Sequence, residues 1–174
     1  MDFFEIIETR RSVRLFNDRP IEEIKLHKVL NAANRAPSAG NLQAFEIFVV
    51  RDIEHKKSLA KAAFDQSFIS DAGIVLVFCA HPSRSGWRYS DRGMNLYCIQ
   101  DATISCTFAM LACTALGLAS VWIGAFDENH VKIILDTDQD LKPVAMLPIG
   151  YAGEEPDPIS RRKLSEIVHE VNHG

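Results

Sequence analysis

Residues 73–80 read GIVLVFCA, a continuous apolar run with no polar position to mark an outward face. A strand with one wet face alternates apolar and polar residues, so an unbroken run of this kind marks a strand covered on both sides. It predicts a central strand, and the elements around it must supply the covers. On its N-terminal side Ala44–Val50, AFEIFVV, reads as a second strand rich in aromatic and β-branched residues. Between the two, Ile53–Ala63 reads as a weaker helix. On its C-terminal side residues 81–93, HPSRSGWRYSDRG, read as a surface loop of Ser, Gly and Arg.

The longest helix follows, over Asn95–Leu116. It is apolar nearly all round, through Leu96, Tyr97, Ile99, Ile104, Phe108, Met110, Leu111 and Leu116, and Gly117 ends it. Such a helix belongs in the core or against another subunit. Gln100, Asp101 and several Ser and Thr residues interrupt it, which argues against a membrane span. Further out, Leu118–Phe126 reads as a strand entering a glycine turn. Asp127 caps a short helix carrying Val131, Ile134 and Leu135, and Pro143–Gly150 is the last clear strand. The tail from Tyr151 is irregular, with prolines on both sides of Asp157.

Toward the start, Asp2 and Glu5 have the spacing of a capping box for a first helix in which Phe3, Ile6 and Ile7 share a face. Pro20 begins a second helix striped by Leu26, Val29, Leu30 and Ala33, which must end before Pro37. No repeat or linker divides the chain, so residues 1–174 are expected to form a single domain. The alternation of strands and helices, taken alone, suggests a doubly wound α/β sheet.

Of 174 residues 47% are hydrophobic and 24% charged, a globular balance. The net charge of −4 argues against bulk binding to nucleic acid or an anionic membrane. The opening MDFFEIIE lacks a secretory pattern. Cys79, Cys98, Cys106 and Cys113 form no CxxC pair and read as buried free thiols in a reducing cytoplasm.

In this acidic chain Thr9–Phe16, TRRSVRLF, crowds three arginines into five positions. If extended, it presents Arg10, Ser12 and Arg14 on one face and Arg11 and Val13 on the other. A second basic knot, Arg161, Arg162 and Lys163, lies near the end. Both converging on one phosphate is one reading, since guanidinium forks suit it; two unrelated solvated patches is the other. There is no GxxxxGK or GxGxxG, and the amides of Asn41 and Gln43 could serve a planar heterocycle or an ordinary turn. His169 and His173 have metal-compatible spacing but no third ligand in a recognised place. No GxSxG or nucleophilic cysteine stands out, so an enzyme built this way would rely on a bound cofactor.

Four stretches in order, RRSVRLF, APSAGNLQ, GLASVWIGAF and LPIGYAGEEPDPISRRKLSEIV, resemble the flavin-dependent nitroreductase family over nearly the whole chain. The resemblance implies an α+β fold, a central and mostly antiparallel sheet flanked by helices, in an intertwined homodimer. It also implies FMN. Arg10, Arg11, Ser12 and Arg14 then look like ligands of the phosphate and ribityl chain, with Arg161 or Arg162 as a second clamp. Pro37, Ser38, Ala39 and Asn41 resemble the segment that reaches the flavin from the partner subunit. Gln66 is assigned to the ring or ribityl chain by looser analogy, and Trp122, Ile123, Gly124 and Ala125 resemble the turn along the isoalloxazine.

The activity implied is hydride transfer from NADH or NADPH through the flavin to a nitroaromatic, quinone or similar planar acceptor, in ping-pong fashion. No catalytic acid or base and no metal site is identified. The alternatives are reductive dehalogenation or flavin fragmentation on the same cofactor, a flavin-storage module, and a cofactor-free interaction domain. Two departures from the family stand out. The chain is short, leaving Trp87 and Tyr89 of residues 81–93 to roof the site, and Trp122 stands where several larger members carry proline.

Overall fold

In the computed structural model, which describes residues 1–171, β3 (Ile74–Ala80) is buried at every position. It pairs antiparallel with β2 (Phe45–Val50) on one side and with β5 (Lys142–Ala152) on the other. The short β1 (Phe16–Asn17) and β4 (Ala119–Ser120) add to β5, also antiparallel. The sheet is therefore the antiparallel one implied by the family resemblance, not the doubly wound sheet suggested by alternation. Hydropathy marks where strands and helices lie, but it carries no record of the direction in which strands pair.

The apolar run is dry because its two faces meet two different cores. Val75, Val77 and Cys79 pack on one side with Leu59 of α3 (Ile53–Ala62) and Val131 of α7 (Glu128–Leu135). Ile74, Leu76 and Phe78 pack on the other with Leu26 and Val29 of α2 (Glu23–Asn34) and with Cys106, Ala109 and Cys113 of α6 (Cys98–Ala115). This period of two, buried on both sides, is what the missing polar positions encode.

Local signals place several ends. Asp2 accepts from the Phe4 and Glu5 amides, and Glu5 returns a bond to the Asp2 amide, closing the capping box of α1 (Phe3–Thr9). Asp127 caps α7 by accepting from the His130 amide at 3.0 Å. After α6, the Leu118 amide reaches the Cys113 carbonyl and the Gly117 amide the Thr114 carbonyl, a Schellman ending with Gly117 at φ +70°.

Three expectations are corrected. Residues 81–93 are mostly helical rather than a loop: α5 spans Pro82–Arg92, kinked at Ser90 (φ 48°, ψ −140°), and a π-helical turn over Gly93–Tyr97 joins it to α6. Its Ser, Gly and Arg content hides the helix. Proline at the first helical position and the close approach of Gly93 to the Ser85 carbonyl, where any Cβ would collide, hold it instead. Leu118–Phe126 is a strand only over Ala119–Ser120, with a single further bridge from Ile123 to Met146. The second helix begins at Glu23, three residues after Pro20. Between β3 and α3 lies the short α4 (Phe68–Asp71).

The long helix shows why its composition is apolar all round. Cys98, Ala102, Cys106, Ala109 and Cys113 face inward, while Ile104 and Leu111 are half-buried and Phe108 is 37% exposed on the far side. The stretch Pro82–Ala115 has the length and hydropathy of a membrane-crossing helix, but α6 uses one face of it as core. All four cysteines are free and buried; burial pushes the Cys79 thiol up to about 12 and the Cys106 thiol well above its ordinary value.

Candidate functional site

The arginine-rich segment leaves α1 at Arg10 and runs past the end of β4. The Val13 amide donates to the Ser120 carbonyl at 3.2 Å, and Ser12 makes a parallel bridge to Ser120. Val13 is buried as the anchor of the segment, and the Arg14 and Leu15 amides donate to Glu154 Oε1 at 2.6 and 3.0 Å. The chain is thus pinned at both edges. The clean alternation expected for its side chains is absent: Arg10 and Arg11 together line a 190 Å³ cleft, while Arg14 is exposed. Thr114, Gly117 and Leu118 from the end of α6, and Glu154, Glu155 and Pro156 from the start of the tail, complete its wall.

Arg161 comes within electrostatic range of Arg10. Burial, then the charges of Arg161 and Arg11, hold the Arg10 guanidinium below its ordinary pKa. The charge of Arg161, from the second basic cluster, is therefore felt at Arg10, from the first. Among the described residues no carboxylate forms an ion pair with Arg10, Arg11, Arg14 or Arg161. Arg11 Nη1 donates to the Glu8 carbonyl at 2.6 Å, which holds it without neutralising it. Arg162 points elsewhere, donating to the Glu166 carbonyl at 2.8 Å and pairing with its carboxylate at 3.5 Å. Arg10 and Arg11, half-buried and unpaired in a cleft that Glu154 and Glu155 also border, with exposed Arg161 near enough to repel Arg10, offer a phosphate unpaired guanidinium donors.

Chain continuity carries Ser120 into the Trp122–Ala125 turn. Ile123 is buried, its amide and carbonyl both bonded to Met146, while Gly124 and Ala125 lie exposed. Trp122 packs on the α2–α6 core, its indole Nε1 beside Gly124. Gln66 Nε2 reaches the Ala125 carbonyl at 3.4 Å and the Ala63 carbonyl at 2.9 Å. It gets there because Phe64 and Asp65 both adopt left-handed backbone, φ 58° and 61°, a strained turn for non-glycine residues. Ser120 is level with Ile149 and Ile74 at the start of β3, whereas Ile123 is level with Met146 and Val77 at mid-strand, so the arginine segment meets one end of the sheet and Trp122–Ala125, with Gln66, runs from there toward its middle.

Pro37, Ser38, Ala39 and Asn41 do not join them. They form a turn over the other end of α6, with Gly40 at φ +57°. Asp101, buried in α6, accepts from the Ala39 amide at 3.0 Å and the Ala44 amide at 3.4 Å, and the Ser38 hydroxyl accepts from the Gln43 amide at 2.9 Å. Burial raises the Asp101 carboxyl above its ordinary value. Pro37, Ser38 and Ala39 border a 510 Å³ cleft with Tyr97, Gln100, Asp101, Thr103 and Ile104. Asp101 and Thr114 are thirteen positions apart on one helix, which separates the two groups of residues by about 20 Å.

Asp101 and Glu154 are the residues that sequence reasoning missed. A lone carboxylate in an apolar helix was a usable signal, because buried acids are bonded to something. Glu154 gave none, lying among prolines and acids. The paired histidines fare differently: His169 lies in irregular chain after the turn Leu164–Glu166, and His173 lies outside the described residues.

The sequence profile of the nitroreductase family matches residues 7–73 and 61–151. A Thermus thermophilus NADH dehydrogenase is 32% identical over 186 residues, covering 91% of each chain. A Bacillus subtilis FMN reductase [NAD(P)H] is 30% identical over 176 residues, 94% of this chain and 69% of its own. Among solved structures, NADPH:FMN oxidoreductase from Vibrio harveyi, complexed with NAD+, superposes with a TM-score of 0.89 at 26% identity, over 98% of this chain and 77% of that one.

Proposed function

This chain belongs to the nitroreductase family, and on that premise we propose how its residues serve an NAD(P)H-dependent flavin oxidoreductase: it holds FMN and reduces a nitroaromatic, quinone or similar planar acceptor. The observation that carries this reading is that Arg10 and Arg11 line one cleft within electrostatic reach of Arg161, and none of the three forms an ion pair among the described residues. In it Arg10, Arg11, Ser12, Arg14 and Arg161 take the phosphate and the adjoining ribityl chain, and Arg162, engaged with Glu166, supports the turn. FMN, when bound, supplies the ring that accepts and gives up hydride. The exposed backbone of Gly124 and Ala125 flanks that ring, Trp122 backs the turn, and Gln66 steadies it through the Ala125 carbonyl.

The site is completed by a second copy. Each chain carries two half-sites at opposite ends of α6, and the free face of α6, with Ile104, Phe108 and Leu111, is apolar. Two α6 helices packed antiparallel set the Pro37–Asn41 turn of each chain beside the arginines of the other. The tail, whose Ile159, Leu164, Ile167, Val168 and Val171 are exposed, finds cover on the partner. Four buried free thiols suit a reducing cytoplasm.

Anaerobic stopped-flow mixing of the purified protein with NADH or NADPH tests the reading. Bleaching of the flavin, parallel lines in double-reciprocal plots against acceptor, and FMN as the flavin released on denaturation are expected. Failure of both nucleotides to bleach it would leave a flavin-storage protein, and a colourless protein that takes up no FMN would end the flavin reading.

A further inference from the structure

Helix α5 carries arginines at 84, 88 and 92 against one acid, Asp91. Arg84 is committed: Nε donates to the Leu42 carbonyl at 2.8 Å and Nη1 lies 3.9 Å from Glu46. Arg88 and Arg92 form no ion pair among the described residues. Each instead rests on one ring of an edge-to-face tyrosine pair. The Arg88 guanidinium is 5.5 Å from the Tyr89 ring, the Arg92 guanidinium is 5.4 Å from the Tyr97 ring, and the ring centroids are 5.2 Å apart. Arg92 Nε donates to the Tyr97 hydroxyl at 2.9 Å. The rings position both guanidiniums without neutralising them, and leave most of their N–H donors free.

The pair stands at the rim of the 510 Å³ cleft, which Tyr97 lines together with Pro37, Ser38 and Ala39. The Gly40 turn fits under it: a Cβ at Gly40 would collide with the Tyr89 hydroxyl and stand 3.0 Å from Arg88 Nη1. Beside Arg88, Trp87 is 83% exposed, an indole face with nothing stacked on it.

From this we propose that Arg88 and Arg92, with Trp87, dock the adenosine 2′-phosphate of NADPH and so set the choice between the two nicotinamide nucleotides. The proposal rests on the reductase reading above. A phosphate monoester carries −1.5 to −2 at pH 7, which two unpaired guanidiniums match and can bind in forked geometry. The exposed indole offers the adenine a stacking face. NADH lacks the 2′-phosphate and leaves the pair without a partner.

The test uses the FMN-loaded protein and two probes, adenosine 2′,5′-bisphosphate and adenosine 5′-monophosphate, titrated by calorimetry and tryptophan fluorescence. The parent is expected to bind the bisphosphate at least tenfold more tightly than the monophosphate. The R88Q/R92Q variant should lose that preference while retaining FMN and the parental visible spectrum, and R88K/R92K should restore part of it. In steady state the ratio of kcat/KM for NADPH to that for NADH should fall ten- to hundredfold in R88Q/R92Q. Equal binding of the two probes by the parent, or an unchanged ratio in the variant, overturns the proposal. So does a variant that keeps NADPH but loses an anionic acceptor such as a nitrobenzoate, which would assign the arginines to the acceptor. If neither nucleotide bleaches the flavin while arginine-dependent bisphosphate binding persists, the reductase reading fails and the phosphate site stands.

Discussion

Replacing Asp101 with alanine should loosen the turn that carries Pro37, Ser38, Ala39 and Asn41. Asp101 is 2% exposed and accepts two backbone amides, from Ala39 at 3.0 Å and from fully buried Ala44 at 3.4 Å. Alanine leaves both without an acceptor, at about 1–3 kcal/mol for a buried donor, with the half-buried Ala39 amide and the longer Ala44 bond both toward the low end. Against this, the variant no longer buries a carboxylate, whose ionised form is disfavoured there. The net expectation is a loss of about 1–3 kcal/mol. Asp101→Asn keeps one carbonyl oxygen for the Ala39 amide but brings an NH2 group with no evident acceptor, so it should cost about 1 kcal/mol. Urea unfolding at one fixed protein concentration reads both, with the midpoint lowered and the slope unchanged. The pH dependence has a definite sign. A carboxyl whose folded pKa is raised contributes stability fully below its ordinary value of 3.8 and loses it as pH rises through the raised value. The gap between parent and Asp101→Asn should therefore narrow as pH climbs above 3.8. A parental midpoint for Asp101→Ala, or Asp101→Asn less stable than Asp101→Ala, would refute the tether.

Arg161→Ala should weaken FMN binding roughly ten- to hundredfold, the loss of one charge-assisted contact, whereas Arg162→Ala, whose side chain is held by Glu166, should change it little; flavin fluorescence on release compares the two. Glu22 is depressed to about 2, first by the Tyr151 hydroxyl 2.6 Å away, so its contribution is present above 4.5 and lost as pH falls toward 2; Tyr151→Phe should flatten that part of the acid stability profile, measured by circular dichroism. At Gly124 a Cβ would stand 3.2 Å from the Trp122 indole Nε1, so Gly124→Val should displace the indole and slow reduction by nucleotide and oxidation by acceptor together; a shifted tryptophan emission with both half-reactions at parental rates would show that the turn does not face the ring.

Much of the architecture needed only the order of residues. A run without polar positions can be buried on both faces or nowhere, so GIVLVFCA declares itself as β3. Asp2 with Glu5, and Asp127 before its helix, announce helix starts through bonds that span three residues. The four stretches that resemble the nitroreductase family were likewise legible as strings, and the family is the one the chain belongs to. Tertiary contacts decided the rest. The antiparallel pairing of β3 with β2 and β5 depends on long-range register. Residues 82–92 are helical because packing of Ser85 and Gly93 outweighs a composition that favours a loop. That Arg161 comes within electrostatic range of Arg10 while Arg162 turns to Glu166 is a matter of where a tail of irregular chain folds over, and no local periodicity records it. The separation of the Pro37–Asn41 turn from the arginines is likewise invisible in one dimension, because both attach to α6, and only the rise of that helix sets how far apart they stand.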